Sequence, residues 1–303
     1  SVTIIGVSAF EGCKSIIKLE VPFSVQEIGE FAFKNCNSLS EIIIDPYITK
    51  IYDNTFDNCK TLRHFIFGNT IKHLKRFSIE KFNSITKITI PSSVEIIDKD
   101  SFKGCSSLIN IKIPSSVTSI KESAFNGCSS LKEVAIPSSI THLGKKSFFE
   151  CTSLSILAIP SSITEIQPYT FYGCSSLKQI DLPSNLVSVG KSSFYGCSCL
   201  AEIDFPSTVK SIGTNAFSGC IQIQKIKIPE ITKIESFAFH GCSSLINVMI
   251  PSSVVEIGEH SFDGCKSLEQ IVIPSSVCKI GSSAFSDCSL LKKLFIPSSI
   301  TDI

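Results

Sequence analysis

Apolar residues recur along this chain in a fixed order, visible in the stretch AFNGCSSLKEVAIPSSI, residues 124–140. Around Val134 and Ile136 apolar and polar positions alternate, the period of a half-buried strand, and Pro137 lacks the amide that would continue it. A second extended piece, Val117 to Ile120, is predicted on the opposite side of the coil. Between the two, SAFNGC at residues 123–128 fits a short helical or 3₁₀ turn closed by Gly127, which tolerates a positive φ.

The same order returns at thirteen registers. Cys13, Cys36, Cys59, Cys105, Cys128, Cys151, Cys174, Cys197 and Cys220 keep a period of 23 residues, with Phe82 standing where one cysteine is missing. The step to Cys242 is 22 because IPEITKI is one residue short, and Cys265 and Cys288 resume the longer step. A phenylalanine stands three residues before each register, from Phe10 and Phe33 to Phe285, replaced once by Ile79. Written out, the unit reads L-x-x-I-x-I-P-S-S-V-T-x-I-G-x-x-A-F-x-G-C-S-S, and its fourth copy is the degenerate one. So short a unit cannot bury its own apolar side, and each must stack on the next. The pattern predicts one solenoid over residues 1–303, with a parallel sheet on one face and short second strands and turns on the other. Thirteen coils at a strand spacing of about 4.8 Å give a rod or arc ~60 Å long.

Stacking turns each position into a column, and the phenylalanine, leucine, isoleucine and cysteine columns are expected to face inward. Cysteine suits such a place as a small hydrophobe with a weak donor. Bridging within the column is disfavoured, because parallel neighbours about 4.8 Å apart do not meet the roughly 3.8 Å Cβ separation of a disulfide. Zinc is disfavoured too: no C-x-x-C pair occurs, and His64, His73, His142, His240 and His260 have no ligand spacing. The fourteen cysteines are therefore read as reduced core thiols, except Cys199 and Cys278, which leave the column. Those two are either tolerated replacements for serine and threonine at half-exposed sites or free thiols able to bond to a partner.

Charge changes little. With 28 basic against 27 acidic residues and a pI near 7.4, nothing draws the whole chain toward nucleic acid or an anionic membrane. Apolar runs such as Ile42–Ile44 fall far short of the roughly 20 residues that a membrane helix requires. The chain opens without a leader pattern and closes mid-unit without a polar cap, so it is expected to be a piece of a longer protein, with any membrane attachment outside it. No N-x-S/T acceptor occurs.

The stretch IPSSVTSIKESAFNGCSSLKEVAIP, residues 113–137, closely resembles the BspA-like leucine-rich repeats, the treponemal-type class with a 23-residue unit. Its strand segment matches the L-x-x-L-x-L opening of leucine-rich repeats, and the resemblance covers residues 1–303, weakening from about 65 to 90. It departs from the pattern where Gly68 and Asp45 replace the strand-ending proline, the latter partly compensated by Pro46. The resemblance implies a leucine-rich-repeat solenoid at the surface of oral bacteria or mucosal protists, virulence-associated. It further implies adhesion to host cells, binding of extracellular-matrix proteins and coaggregation, with no catalytic residues and no cofactor. A cell-surface or secreted protein with a protein or glycoprotein ligand is thus the leading expectation. The alternative is an intracellular, cytoplasmic interaction or structural scaffold, which reduced thiols allow.

Candidate sites come from outward columns. Asn185–Ser193 ends like a phosphate loop but is the ordinary repeat, and the serines never form G-x-S-x-G. On the strand face the column seven residues after each cysteine runs through Asp181, Asp204, Lys227, Met249, Val272 and Phe295. Met249, Val272 and Phe295, rimmed by Asn247, Gln270 and Lys293, form an apolar stripe suited to a protein partner, or else packed under a further segment. Ile156 is a further apolar candidate on that face. Asp181, Glu202 and Asp204 gather beside Lys225 and Lys227, where Glu202–Lys225 and Asp204–Lys227 pairs are expected in preference to a calcium site. Lys72, Lys75, Arg76 and Lys81 in the degenerate unit form a basic patch for an anionic glycan, or simply a solvated face.

Overall fold

The structure is a computed structural model and describes all residues except 45, 46, 49, 53, 70 and 75–83. Each described unit except the one around Ile203 contributes one short strand to a front face, and within each sheet successive strands pair in parallel. Eight of them form one sheet, from Lys18–Glu20 to Gln179–Asp181, and four form another, from Lys225–Lys227 to Lys293–Phe295. The register is that of the repeat: Ile111 partners Val134 and Lys112 partners Ala135. Alternation sends Ile111 and Val134 inward and leaves Asn110, Lys112, Glu133 and Ala135 on the exposed face.

The second extended pieces also pair in parallel, as two-residue strands on the opposite side. Ser119–Ile120 lies between Ile96–Ile97 and His142–Leu143. Among the described residues these strands fall into four short sheets, and the one-residue deletion around residues 229–232 lies at one of the breaks, between the sheet that ends at Ser211–Ile212 and the one that begins at Lys233–Ile234.

The turns differ from expectation, since no helix occurs among the described residues. In the coil holding Cys128, the amides of Ala124, Asn126 and Cys128 bond three residues back, to the carbonyls of Lys121, Ser123 and Phe125. The alternate amides of Ser123, Phe125 and Gly127 bond forward to Lys145, Ser147 and Phe149 of the next coil at 2.7–2.9 Å. A helix would aim every amide along its own chain. Left-handed backbone at Ser123 (φ 56°) and Gly127 (φ 75°) instead turns every second one to the neighbouring coil.

The core lies between the faces. Phe102, Phe125, Phe148, Phe171, Phe194, Phe217, Phe239, Phe262 and Phe285 stack with centroids 5.1–5.9 Å apart. Ile79 and Phe82, expected to continue these columns, lie outside the described residues, as do Asp45 and Pro46. Across that gap Phe67 meets Phe102 edge-on at 6.5 Å. Burying each such side chain stabilises the stack by about 1.5–3 kcal/mol.

Candidate protein-binding face

The strand face is built by the inward anchors beneath it. Ile226, Val248 and Ile271 are buried, and the alternation places the residues on either side of each one in solvent. Met249, Val272 and Phe295 are 62%, 78% and 71% exposed on successive strands, and Val272 is the register partner of Phe295. Lys227 partners Met249, and Lys225, Asn247, Gln270 and Lys293 line up as the flanking column. Five of the singled-out residues therefore share the four-stranded sheet: Lys225, Lys227, Met249, Val272 and Phe295.

The others are placed apart from it. Ile156 and Asp181 belong to the eight-stranded sheet, where Ile156 is 57% exposed. Ile156 also walls a shallow depression of about 680 Å³ above Ala135 and Ala158. Glu202 and Asp204 lie between the two sheets, in a coil that forms its back strand Ser211–Ile212 but no front strand. That corrects the alternation-based expectation for this unit. Carboxylates occupy both of its outward positions, beside Asp181 of the preceding rung, an unfavourable neighbour, and the ladder is open toward Lys225–Lys227 as well. The ring of Phe205, in the same coil, turns edge-on to Phe217 at 5.5 Å. With the ladder open there, neither expected pair, Glu202–Lys225 nor Asp204–Lys227, appears among the ion pairs of the described residues.

Elsewhere the face satisfies itself. Lys18 bridges Glu20 at 2.9 Å and Glu41 at 3.3 Å, Glu41 holds His64 Nδ1 at 3.1 Å, and His64 Nε2 meets Thr89 at 2.7 Å. Of the basic patch, Lys72 is paired with Glu95, whose carboxyl that hydrogen bond holds below its usual range. Lys75, Arg76 and Lys81 lie outside the described residues.

Ten thiols of the cysteine column are buried, and the end members Cys13 and Cys288 are half-buried. Apart from Cys105, each buried thiol donates to the phenylalanine carbonyl one coil back, as Cys174 Sγ does to Phe148 at 3.2 Å and Cys197 Sγ to Phe171 at 3.2 Å. Burial pushes Cys174 up to about 12 and Cys59 up to about 11, which removes thiolate at neutral pH. Cys199 and Cys278 are free and exposed.

One surface cluster was not singled out from the sequence. Phe149, Tyr172 and Tyr195 stack at 4.7 Å spacing on three successive coils, two residues before their cysteines. Lys146 lies over both Phe149 and Tyr169 at 5.5 Å. The signal was available, because the same column carries Asn126 and Ser218 on the neighbouring coils.

Parallel front strands, short back strands and a continuous inner column define a leucine-rich-repeat solenoid, an architecture of extended binding surfaces. The chain belongs to the BspA-type leucine-rich repeat family, whose profile matches residues 1–109, 95–223 and 187–303. It is similar to a leucine-rich repeat protein from Bacteroides ovatus (28% identity, TM-score 0.58, 89% of this chain and 82% of that one). It is also similar to one from Eubacterium ventriosum (21% identity, TM-score 0.57, 94% and 80%). A leucine rich cell surface protein from Faecalibacterium prausnitzii aligns at 26% identity and TM-score 0.46, over 97% of this chain and 87% of that one. No curated protein matches the chain. No helix among the described residues is long and apolar enough to cross a membrane.

Proposed function

We propose that this chain is a non-catalytic binding scaffold acting at the cell surface, and that its strand face over residues 225–295 engages a protein or glycoprotein of a host cell or its extracellular matrix. The observation that carries the reading is the run of Met249, Val272 and Phe295, each more than 60% exposed, on consecutive strands of one sheet. Large apolar side chains left together in water are the mark of an interaction site. The surface assignment draws its support from the family, whose resemblance implies adhesion. Replacing Met249 and Phe295 together by serine is expected to weaken binding to immobilised extracellular-matrix proteins and to host cells while leaving the thermal midpoint unchanged. Unchanged binding counts against the stripe.

A second reading is an intracellular interaction scaffold, favoured by the unpaired exposed thiols of Cys199 and Cys278, which are at home in a reducing compartment. Protease shaving of intact cells separates the two: a surface protein is lost and an internal one survives.

A further inference from the structure

We propose that the patch over residues 225–295 receives an acidic amphipathic α-helix of the partner protein, its axis running along the solenoid and across the strands. This rests on the strand-face reading above and names the chemistry of the occupant.

Charge is the first reason. Lys225, Lys227 and Lys293 form no ion pair among the described residues, and the outward positions between them carry the amides Asn247 and Gln270 and no carboxylate. Single unpaired lysines such as Lys87 and Lys112 occur on the other sheet too, but here three flank one apolar stripe, whereas Lys18 holds two glutamates and Lys292, next to Lys293 but in the preceding turn, holds Glu269 at 3.1 Å. The flank thus offers three unpaired cations and two amide groups that can donate, beside a stripe of three apolar side chains. Its complement has an apolar edge and a carboxylate-bearing edge.

Pitch is the second reason. From Met249 to Phe295 is two rungs, about 9.6 Å at the strand spacing. A helix repeats an apolar side chain every turn of about 5.4 Å, so residues seven apart span roughly 10.5 Å and match within about 1 Å. An extended segment places same-side residues about 6.7 Å apart, and two such steps overshoot the stripe by roughly 4 Å. The span from Lys225 to Lys293, about 14 Å, falls between two helical turns (about 11 Å) and three (about 16 Å), a difference that long lysine and glutamate side chains can take up.

The test titrates the full chain with three labelled synthetic peptides of about 18 residues, long enough to hold a helix in water. One has leucines at helical spacing with glutamates along one flank, the second has lysines in place of the glutamates, and the third is the glutamate peptide interrupted by a central proline. The glutamate helix is expected to bind at least about tenfold more tightly than either of the others, gaining helical circular dichroism on binding and weakening with salt. The variant Lys225→Glu/Lys227→Glu/Lys293→Glu is expected to reverse the preference toward the lysine peptide. That reversal also shows the variant to be folded. Equal affinity for the two charge types, equal binding of the interrupted peptide, or binding of none overturns the proposal. If none binds while Met249→Ser/Phe295→Ser still abolishes attachment to matrix proteins, the helix is wrong and the strand-face reading stands. If the peptides behave as expected while that variant attaches normally, the reverse holds.

Discussion

The thiol of Cys151 lies 3.2 Å from the carbonyl oxygen of Phe125, one coil back in the stack. The same oxygen accepts the amide of Cys128 at 3.1 Å, so sulfur fills its second lone pair in a place closed to water. Cysteine here combines apolar volume with a weak donor. Alanine loses the volume and the weak bond but strands no donor, because the Cys128 amide stays paired. Serine brings a hydroxyl on a shorter bond that falls short of the carbonyl and must be desolvated. Cys151→Ala is expected to destabilise by about 1 kcal/mol, and Cys151→Ser by about 1–3 kcal/mol. Urea midpoints check the ranking; serine equal to or better than cysteine would refute the role given to sulfur.

Alkaline stability follows from the same column. Burial raises the thiols of Cys128, Cys151, Cys197 and Cys242 well above their usual value, and pushes Cys174 up to about 12 and Cys288 up to about 11. The unfolded chain loses these protons near pH 9, the folded chain only at higher pH. The contribution is therefore complete below pH 9 and is lost as pH rises through the folded values. The thermal midpoint is expected to be flat across neutral pH and to fall steeply above about pH 9. Thiol titration at neutral pH should find Cys199 and Cys278 at once and the ten buried column thiols only after unfolding, with the half-buried Cys13 and Cys288 in between; reaction of the ten in the native state contradicts their burial.

Much of this fold is legible in the sequence, because a stacked coil repeats its constraints. Phe125, Cys128, Leu131 and Val134 recur at the same offsets and are all buried, so their columns identify the inside directly. Outward columns are legible by subtraction, which is how Met249, Val272 and Phe295 stand out. Glu202–Asp204 misleads, because strand alternation is satisfied there while pairing with the neighbouring rungs, a relation between coils that alternation within one coil does not report, is absent. The turns mislead for a different reason. The left-handed column five residues before each cysteine holds Ser123, Lys146, Tyr169, Phe237 and His260, so no glycine marks it. Its geometry is imposed by hydrogen bonds to the next coil rather than by local propensity.

The column four residues before each cysteine alternates between alanine and a hydroxyl residue, and three of its serines have no partner. Ser147, Ser193 and Ser261 are fully buried with Oγ unbonded, whereas Ser101 Oγ donates to Leu74 and Asp98 at 2.6 Å. Ala124, Ala216 and Ala238 occupy the same place without a hydroxyl and are buried equally well. Ser193→Ala is expected to stabilise by about 1 kcal/mol, and Ser101→Ala to destabilise by about as much, since the latter breaks bonds that exist. Opposite signs in a denaturant titration support the assignment; destabilisation by both would mean that Ser193 has a partner.

The residue immediately before each register cysteine is left-handed in every coil where it is described as glycine, and also at Asn35, Asn58, Glu150 and Asp287. Asparagine and aspartate tolerate that backbone, but Glu150 at φ 55° has no local hydrogen bond to favour it. Its amide still bonds to the Tyr172 carbonyl at 2.7 Å, so the inter-coil ladder holds it in a conformation that glycine adopts freely. Glu150→Gly is expected to stabilise by up to about 1 kcal/mol, while Gly127→Ala, at φ 75°, should destabilise by about 1 kcal/mol. At Gly127 the nearest atom to an added Cβ is Gly104 Cα at 3.6 Å, ordinary contact, so any loss there reports backbone strain alone. Unfolding midpoints of the two variants decide it: a loss for Glu150→Gly would show that its side chain contributes more than the strained backbone costs.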